Sequence, residues 1–319
     1  MKVHRDINSL PKFRKAVVTV GTFDGVHTGH LQIIKQLKDE AERIGGETVI
    51  ITFHPHPRMV INPKEGKKSE GTPGIWLLNT LDEKISLLQK QSIDHLVIVP
   101  FDQAFSEQKA GDYIRDFLKK LFNPHTIIIG YDHHFGKGRS GNYKLLEEYG
   151  SIMDFSVNEI PGHVLNDVAI SSTRIREALL ASNLITANKY LGYDYFFSGE
   201  VVEGDKIGRT LGFPTANIRV NDFNKLIPGN GVYAVHVIVT GSDLVFNGMM
   251  NIGIRPTIGG TKRMMEINIF GLDENIYHTQ LTVFLKKFLR PEIKFAGLPA
   301  LKAQLFIDKK AAEQALNEL

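Results

Sequence analysis

Two histidines three residues apart, His27 and His30, stand in the run Gly21-Thr22-Phe23-Asp24-Gly25-Val26-His27-Thr28-Gly29-His30. Apolar Ala16-Val17-Val18-Thr19-Val20 precedes it. A helical pattern follows, with Ile34, Leu37, Ala41 and Ile44 at spacings of three and four. A strand, a glycine-bearing turn and a helix start bring backbone N–H groups, the positive end of a helix dipole and two imidazoles to one point, which suits a phosphate. Gly29 would let a nucleotide come close to the backbone. Such donors stabilise charge gathering on a phosphorus under in-line attack and supply no nucleophile. The chemistry they fit is transfer of a nucleotidyl group to an acceptor already bound. A tight turn with two surface histidines is the plainer alternative. A zinc site on His27, His30, His54 and His56 lacks the i, i+4 spacing and accompanying acid of helical zinc motifs.

A second constellation is Ile170-Ser171-Ser172-Thr173-Arg174-Ile175-Arg176. Its hydroxyls can cap a helix start and suit a triphosphate, while Arg174 and Arg176 suit a departing pyrophosphate. An N-capped surface helix would look the same. Gly136, Gly138 and Gly141 satisfy G-x-G-x-x-G, but they stand well beyond the strand end at Gly130, so no dinucleotide fingerprint is read from them.

The third stretch is Gly204-Asp-Lys206-Ile-Gly208-Arg209-Thr-Leu-Gly212-Phe-Pro-Thr215-Ala-Asn217. Its glycines with Lys206 and Arg209 suit a positively charged flap over phosphates. Thr215 and Asn217 share one strand face and offer two neutral oxygens to Mg²⁺. A hairpin with glycine turns fits as well. Further on, Glu266 and Asn268 share a face opposite Met265, Ile267 and Ile269; a carboxylate there can take a proton from a hydroxyl or simply be solvated.

These residues need a scaffold. Strands read from Thr48 to Phe53, Leu96 to Val99 and Thr126 to Gly130, with helical patterns over Leu81–Lys90 and Ser106–Leu121 and a polar loop over Asn62–Thr72. Apolar strands alternating with amphipathic helices predict a parallel sheet, with ligands beyond the strands' carboxyl ends near Gly21–His30 and Gly130–Gly141. Ser171–Leu180 reads as a helix and Asn183–Gly192 as a short connection. Six strands then follow: Tyr195–Val202, Thr215–Val220, Gly231–Val239, Leu244–Asn251, Met264–Phe270 and Gln280–Phe288. Their turn clusters suggest a closed or nearly closed barrel, followed by a helical tail from Leu298 to Leu319. The expected domains are 1–184 and 185–319. A net charge of +3 gives no case for nucleic acid or a membrane surface, and the absence of cysteine removes disulfides and thiolate chemistry. No export signal or membrane span is read, so the expectation is cytoplasmic.

Gly-Xaa-Phe-Asp-Gly-Xaa-His-Xaa-Gly-His, paired with Ile-Ser-Ser-Thr-Xaa-Ile-Arg, resembles the N-terminal module of the bacterial bifunctional riboflavin kinase/FAD synthetase (FMN adenylyltransferase) family. Gly212-Phe-Pro-Thr-Ala-Asn217, Gly231-Val-Tyr-Ala, Asn251-Ile-Gly-Ile-Arg-Pro-Thr257, Met265-Glu266 and Leu289-Arg290-Pro-Glu292-Ile-Lys-Phe295 occur in order, as in its flavokinase module. The resemblance implies an α/β Rossmann-like nucleotidyltransferase domain, then a small antiparallel Greek-key β-barrel with a C-terminal helix. It implies phosphorylation of riboflavin to FMN, then adenylylation to FAD, with ATP and Mg²⁺ and no redox cofactor. Gly21, Thr22, Phe23, Asp24, Gly29, Asp132 and Ser171–Arg176 would hold the nucleotide of the second step, and His27 and His30 its transferring phosphate. Thr215 and Asn217 would hold Mg-ATP in the first, with Glu266 as base on the ribityl hydroxyl. Arg290 and Glu292 would lie near the flavin, and Pro55, His56 and Pro57 on the FMN side. The chain departs from the family pattern at His134, where Arg is common, and at Asn268, where His is frequent. Gly271-Leu272-Asp273 and His278 depart too. Alternatives are an adenylyltransferase for another phosphorylated acceptor and a non-catalytic flavin- or nucleotide-binding protein.

Overall fold

The computed structural model describes residues 1–61, 75–160, 170–204, 207–257 and 260–318. The loop expected over Asn62–Thr72 and the flap residue Lys206 lie outside them. The chain divides into two compact units, Met1–Ser172 and Thr173–Leu319.

The first unit is built on β1 (Lys2–His4), β2 (Val17–Val20), β3 (Thr48–His54), β4 (His95–Pro100), β5 (Thr126–Gly130) and β6 (Ser156–Ile160). They form one six-stranded sheet in the order β1-β4-β3-β2-β5-β6, and every pairing is parallel. Every residue of β2 and of β5 is buried, as expected of strands covered on both faces. The order reverses at β2, which pairs with both β3 and β5. That reversal opens a crevice at the carboxyl ends of β2 and β5. Helix α1 (Thr28–Ile44) starts there and stops at Gly45, whose φ of 64° makes the left-handed C-terminal cap. Helix α2 (Leu81–Gln89) opens with a capping box, Glu83 N–H to the Thr80 hydroxyl and Thr80 N–H to the Glu83 carboxylate.

The helix expected over Ser106–Leu121 is broken. A turn at Gln103–Ser106 and another at Ala110–Asp112 lead into α3 (Tyr113–Phe122), which has the wide i→i+5 pattern. Strands β1 and β6 and helix α4 (Tyr143–Met153) are additions to the expected set.

Helix α5 (Ser172–Leu180) is followed by α6 (Leu184–Leu191), where a short connection was expected. The Asn183 side chain caps it by accepting from Thr186 N–H, and Leu184, Ala187 and Leu191 are buried along one side. The barrel strands are β7 (Phe196–Val202), β8 (Ala216–Arg219), β9 (Gly231–Val239), β10 (Val245–Thr257), β11 (Gly260–Ile269) and β12 (Gln280–Arg290), with α7 (Leu298–Asn317) after them. They close in the order β10-β11-β8-β7-β12-β9, all antiparallel. Strands β9 to β11 form a meander and β12 returns beside β9, which is a Greek key. β10 and β11 outrun their expected ends because their ladder continues from Ile252↔Met265 to Thr257↔Gly260. In β12 the register against β9 slips between Leu285 and Lys287 and again between Phe288 and Arg290.

Candidate active sites

At the crevice, the turn after β2 folds tightly: Phe23, Gly25 and Val26 have φ of 47°, 90° and 36°. Positive φ at Phe23 and Val26 is strained for bulky residues, and a dense web holds it. The Thr22 carbonyl accepts from Lys84 Nζ at 2.7 Å and from the Thr52 hydroxyl at 3.1 Å. The Asp24 carboxylate, 2% exposed, accepts from Leu78 N–H at 3.0 Å and Asn79 N–H at 3.4 Å. The Asp24 carbonyl accepts from the Ser172 hydroxyl at 2.8 Å.

The His27 and His30 rings stack, their centroids 3.7 Å apart. His27 N–H donates to His30 Nδ1 at 3.3 Å, which leaves the neutral ring's proton on Nε2. Burial first, then His27 and Lys84, hold the His30 pKa well below its usual value. His30 is therefore a neutral N–H donor at physiological pH, beside the N-terminus of α1. Gly29 was expected to admit a nucleotide; a side chain there would come within 3.2 Å of the His27 ring, so its bareness makes room for the stack. The four histidines of the zinc alternative form no cluster: among the described residues, no group of three or more His, Cys, Asp or Glu is placed to hold a metal ion.

Ser171 and Ser172 are half-buried and lead into α5, along which Thr173 and Arg174 are exposed and Arg176 half-buried. Asp132 and His134 are exposed in the loop after β5, with His134 Nδ1 3.3 Å from the Gly141 carbonyl. Between them, burial lowers the His133 pKa to about 4. The glycines of that loop serve its closure: Phe135 and Gly141 exchange two backbone hydrogen bonds. Pro55, His56 and Pro57 follow β3, the neighbour of β2, with His56 Nδ1 accepting from Arg58 N–H at 3.2 Å.

A half-open cavity of about 320 Å³ lies between the barrel wall and α7, whose Leu301, Leu305 and Asp308 help line it. Thr215, Asn217, Glu266, Arg290 and Glu292 all line it, as do Gly208 and Asn268. Strand register explains the meeting, since Glu266 lies opposite Asn217 on one side and Asn251 on the other. Asn217 is 6% exposed, and among the described residues its Oδ1 has no hydrogen-bond partner. A buried carbonyl oxygen so placed, next to the Thr215 hydroxyl, suits Mg²⁺ carried in on phosphates. Gly204 lies directly against the Asn217 amide, where any side chain would collide. Asn268, the departure from the family pattern, donates from Nδ2 to the Pro214 carbonyl at 2.6 Å and so holds the residue before Thr215. Arg209 does not reach this cavity; it is exposed and lines a smaller hollow with Thr215, Leu272 and Tyr277. His278 is exposed, in a left-handed turn with φ of 64°.

The sequence reading missed the partners of these groups. Arg290 is gripped by Asp308 of α7, Nε to Oδ1 at 2.8 Å and Nη2 to Oδ2 at 2.6 Å. Gln304 donates to the same carboxylate at 2.9 Å. Glu292 accepts from Asn230 Nδ2 at 3.1 Å and lies over Gly253, which has no side chain to obstruct it. Asp308 and Lys84 carry no local motif, and each stands among other charged residues of an amphipathic helix, where a charge ordinarily faces solvent.

A family model described as FAD synthetase matches residues 10–174, and one described as riboflavin kinase matches residues 191–316. The chain is 37% identical to a bifunctional riboflavin kinase/FMN adenylyltransferase of Buchnera aphidicola, over 99% of both chains. It is 34% identical to the protein of the same name from Escherichia coli K12, over 98% of this chain and 97% of that one. A solved structure described as a macrolide-efflux protein from Streptococcus pneumoniae superposes with a TM-score of 0.86 at 27% identity, covering 98% of both chains. Efflux belongs to that protein's description; here, among the described residues, no helix is long and apolar enough to cross a membrane.

Proposed function

This chain belongs to the bifunctional riboflavin kinase/FMN adenylyltransferase family, and from that premise we propose which of its residues carry each step. It makes FMN and ADP from riboflavin and ATP, then FAD and pyrophosphate from FMN and a second ATP. The observation that supports the assignment most is the meeting of Thr215, Asn217, Glu266, Arg290 and Glu292 on one cavity. We take 1–184 and 185–319 as the functional domains; the two family matches fall inside those spans.

In the barrel, the Glu266 carboxylate takes the proton of the ribityl 5′-hydroxyl as that oxygen bonds to the γ-phosphorus and ADP leaves. Thr215 and Asn217 would hold Mg²⁺ with the ATP phosphates, where it would supply charge neutralisation. Gly204, Lys206, Gly208 and Arg209 would bind the nucleotide in this reading. Arg290 and Glu292 border the flavin.

In the N-terminal domain, 1–184, an FMN phosphate oxygen attacks the α-phosphorus of the second ATP and pyrophosphate leaves. The α1 N-terminus and the neutral His30 Nε2–H stabilise the transferring group, and stacking on His27 fixes the ring's direction. Gly21, Thr22, Phe23, Asp24 and Gly29 shape the turn that holds it. Ser171, Ser172 and Thr173 would face the triphosphate, Arg174 and Arg176 the departing pyrophosphate, Asp132 the nucleoside, and Pro55, His56 and Pro57 the FMN. ATP as donor in both steps suits a cytoplasmic enzyme.

The test separates flavins after incubation of purified protein with riboflavin and Mg-ATP. Glu266→Ala abolishes FMN formation while supplied FMN still becomes FAD. His30→Ala lets FMN accumulate. If His30→Ala stops riboflavin phosphorylation instead, this division of labour is wrong.

A further inference from the structure

Helix α2 supplies a buried cation to the turn after β2 that the adenylyl-transfer reading does not use. Lys84 is 7% exposed. A buried ammonium is costly unless hydrogen-bonded and near an opposite charge. Lys84 has both: the Thr22 carbonyl at 2.7 Å and the favourable charge of Asp24. Those two residues flank Phe23, with its φ of 47°, so the ammonium hydrogen-bonds on one side of the strained residue and is attracted to the charge on the other. Asp24 is tied in turn to Leu78 and Asn79, just before α2. From α1, His30 faces the same cation, and His27 faces His30. Glu83, next to Lys84 on its own helix, accepts from Thr80 N–H.

We propose that Lys84 is a positioning residue for adenylyl transfer, its ammonium holding the Thr22–Asp24 turn so that the α1 N-terminus and the neutral His30 Nε2–H point at the α-phosphorus. The proposal rests on Gly21–His30 being the adenylyl-transfer centre. A lysine that merely fastened the turn during folding would leave no trace in the pH dependence of turnover; a lysine that holds the reacting geometry does. Burial lowers the Lys84 pKa from 10.5 to about 8, with Asp24 acting in the opposite direction. Above that pH the side chain loses its charge, its attraction to Asp24 weakens, and the rate falls.

The experiment measures FMN→FAD conversion by the full chain from pH 6 to pH 9.5, with riboflavin phosphorylation by the same sample as the reference for active protein. The expected wild-type kcat falls as pH rises through about 8. Lys84→Met lowers kcat about 10- to 100-fold at pH 7, leaves KM for FMN nearly unchanged, and flattens that limb. Lys84→Met with wild-type kcat, or a wild-type profile with no limb near pH 8, overturns the proposal. If Lys84→Met does not fold, the wild-type profile alone decides. His30→Ala is run alongside: if it leaves FMN→FAD intact, the adenylyl-transfer reading itself fails, whereas loss in His30→Ala with no effect in Lys84→Met sinks only the role of Lys84.

Discussion

Asn217 carries a conflict that a ligand would resolve. A buried amide oxygen without a donor costs about 1–3 kcal/mol, and this one lies opposite Glu266 in the barrel cavity. Asn217→Ala should therefore leave thermal stability unchanged or slightly raised. The same substitution should raise the Mg²⁺ concentration needed for half-maximal FMN formation and cut kcat by about tenfold or more. Lost stability with normal Mg²⁺ dependence would make the amide structural instead. As candidates, Asn217 and His30 stood out in the sequence because polar residues recur at short spacing beside glycine, whereas Glu266 stood out only through the resemblance to the flavokinase module. The environment of Asn217 was not legible: the partner strand that brings up Glu266 enters the chain after β9 and β10. Lys84 was invisible for a related reason. Its hydrogen-bond partner is 62 residues away, and a lysine in an amphipathic helix ordinarily signals solvent.

An irregularity in one element places Arg290, proposed for the flavin side. Bulges re-aim the side chains that follow them, and the second slip of β12 falls immediately before Arg290. Arg290 then meets Asp308 on α7, with side chains 19% and 4% exposed. Removing one partner of such a pair strands the other. Asp308→Ala should destabilise the barrel unit by about 3 kcal/mol, toward the lower end of the usual range because Arg290 can still reach water. It should also raise KM for riboflavin, with FMN→FAD unaffected; denaturant unfolding and the two assays read these effects separately. Strands β2 to β5, rich in Val and Ile, were easy to read, since buried parallel strands need no alternation. The break before α3 was harder, because its apolar spacing fits an ordinary helix and tertiary packing sets the wider turn. Strand β10 was cut short in the reading because Gly253 and Pro256 look like breakers, yet Gly253 is bare to accommodate Glu292.

At the scale of the whole molecule, acid acts on the first unit through its histidines. Desolvation of the half-buried rings lowers the His133 pKa to about 4 and holds His30 well below its usual value. The unfolded chain takes up those protons near pH 6.5 and the folded unit resists them. The contribution is complete above pH 6.5 and is lost as pH falls toward 4. Stability of the N-terminal unit should drop by about 1–3 kcal/mol between pH 7 and pH 5, and His133→Gln should flatten part of that slope. Trp76, the single tryptophan, lies in this unit and reports its unfolding by fluorescence. The strands that periodicity overlooked, β1 and β6, are the two edges of the parallel sheet. One is three residues long with Lys2 and His4 at its ends; the other carries Asn158 and Glu159. Shortness and polarity hid them from a search for apolar runs. The same qualities make them poor templates for a stray strand from another chain, and the barrel, being closed, offers no edge at all. At the concentrations reached in a crowded cell, the features that made these strands hard to read guard the enzyme against sticking to its own copies.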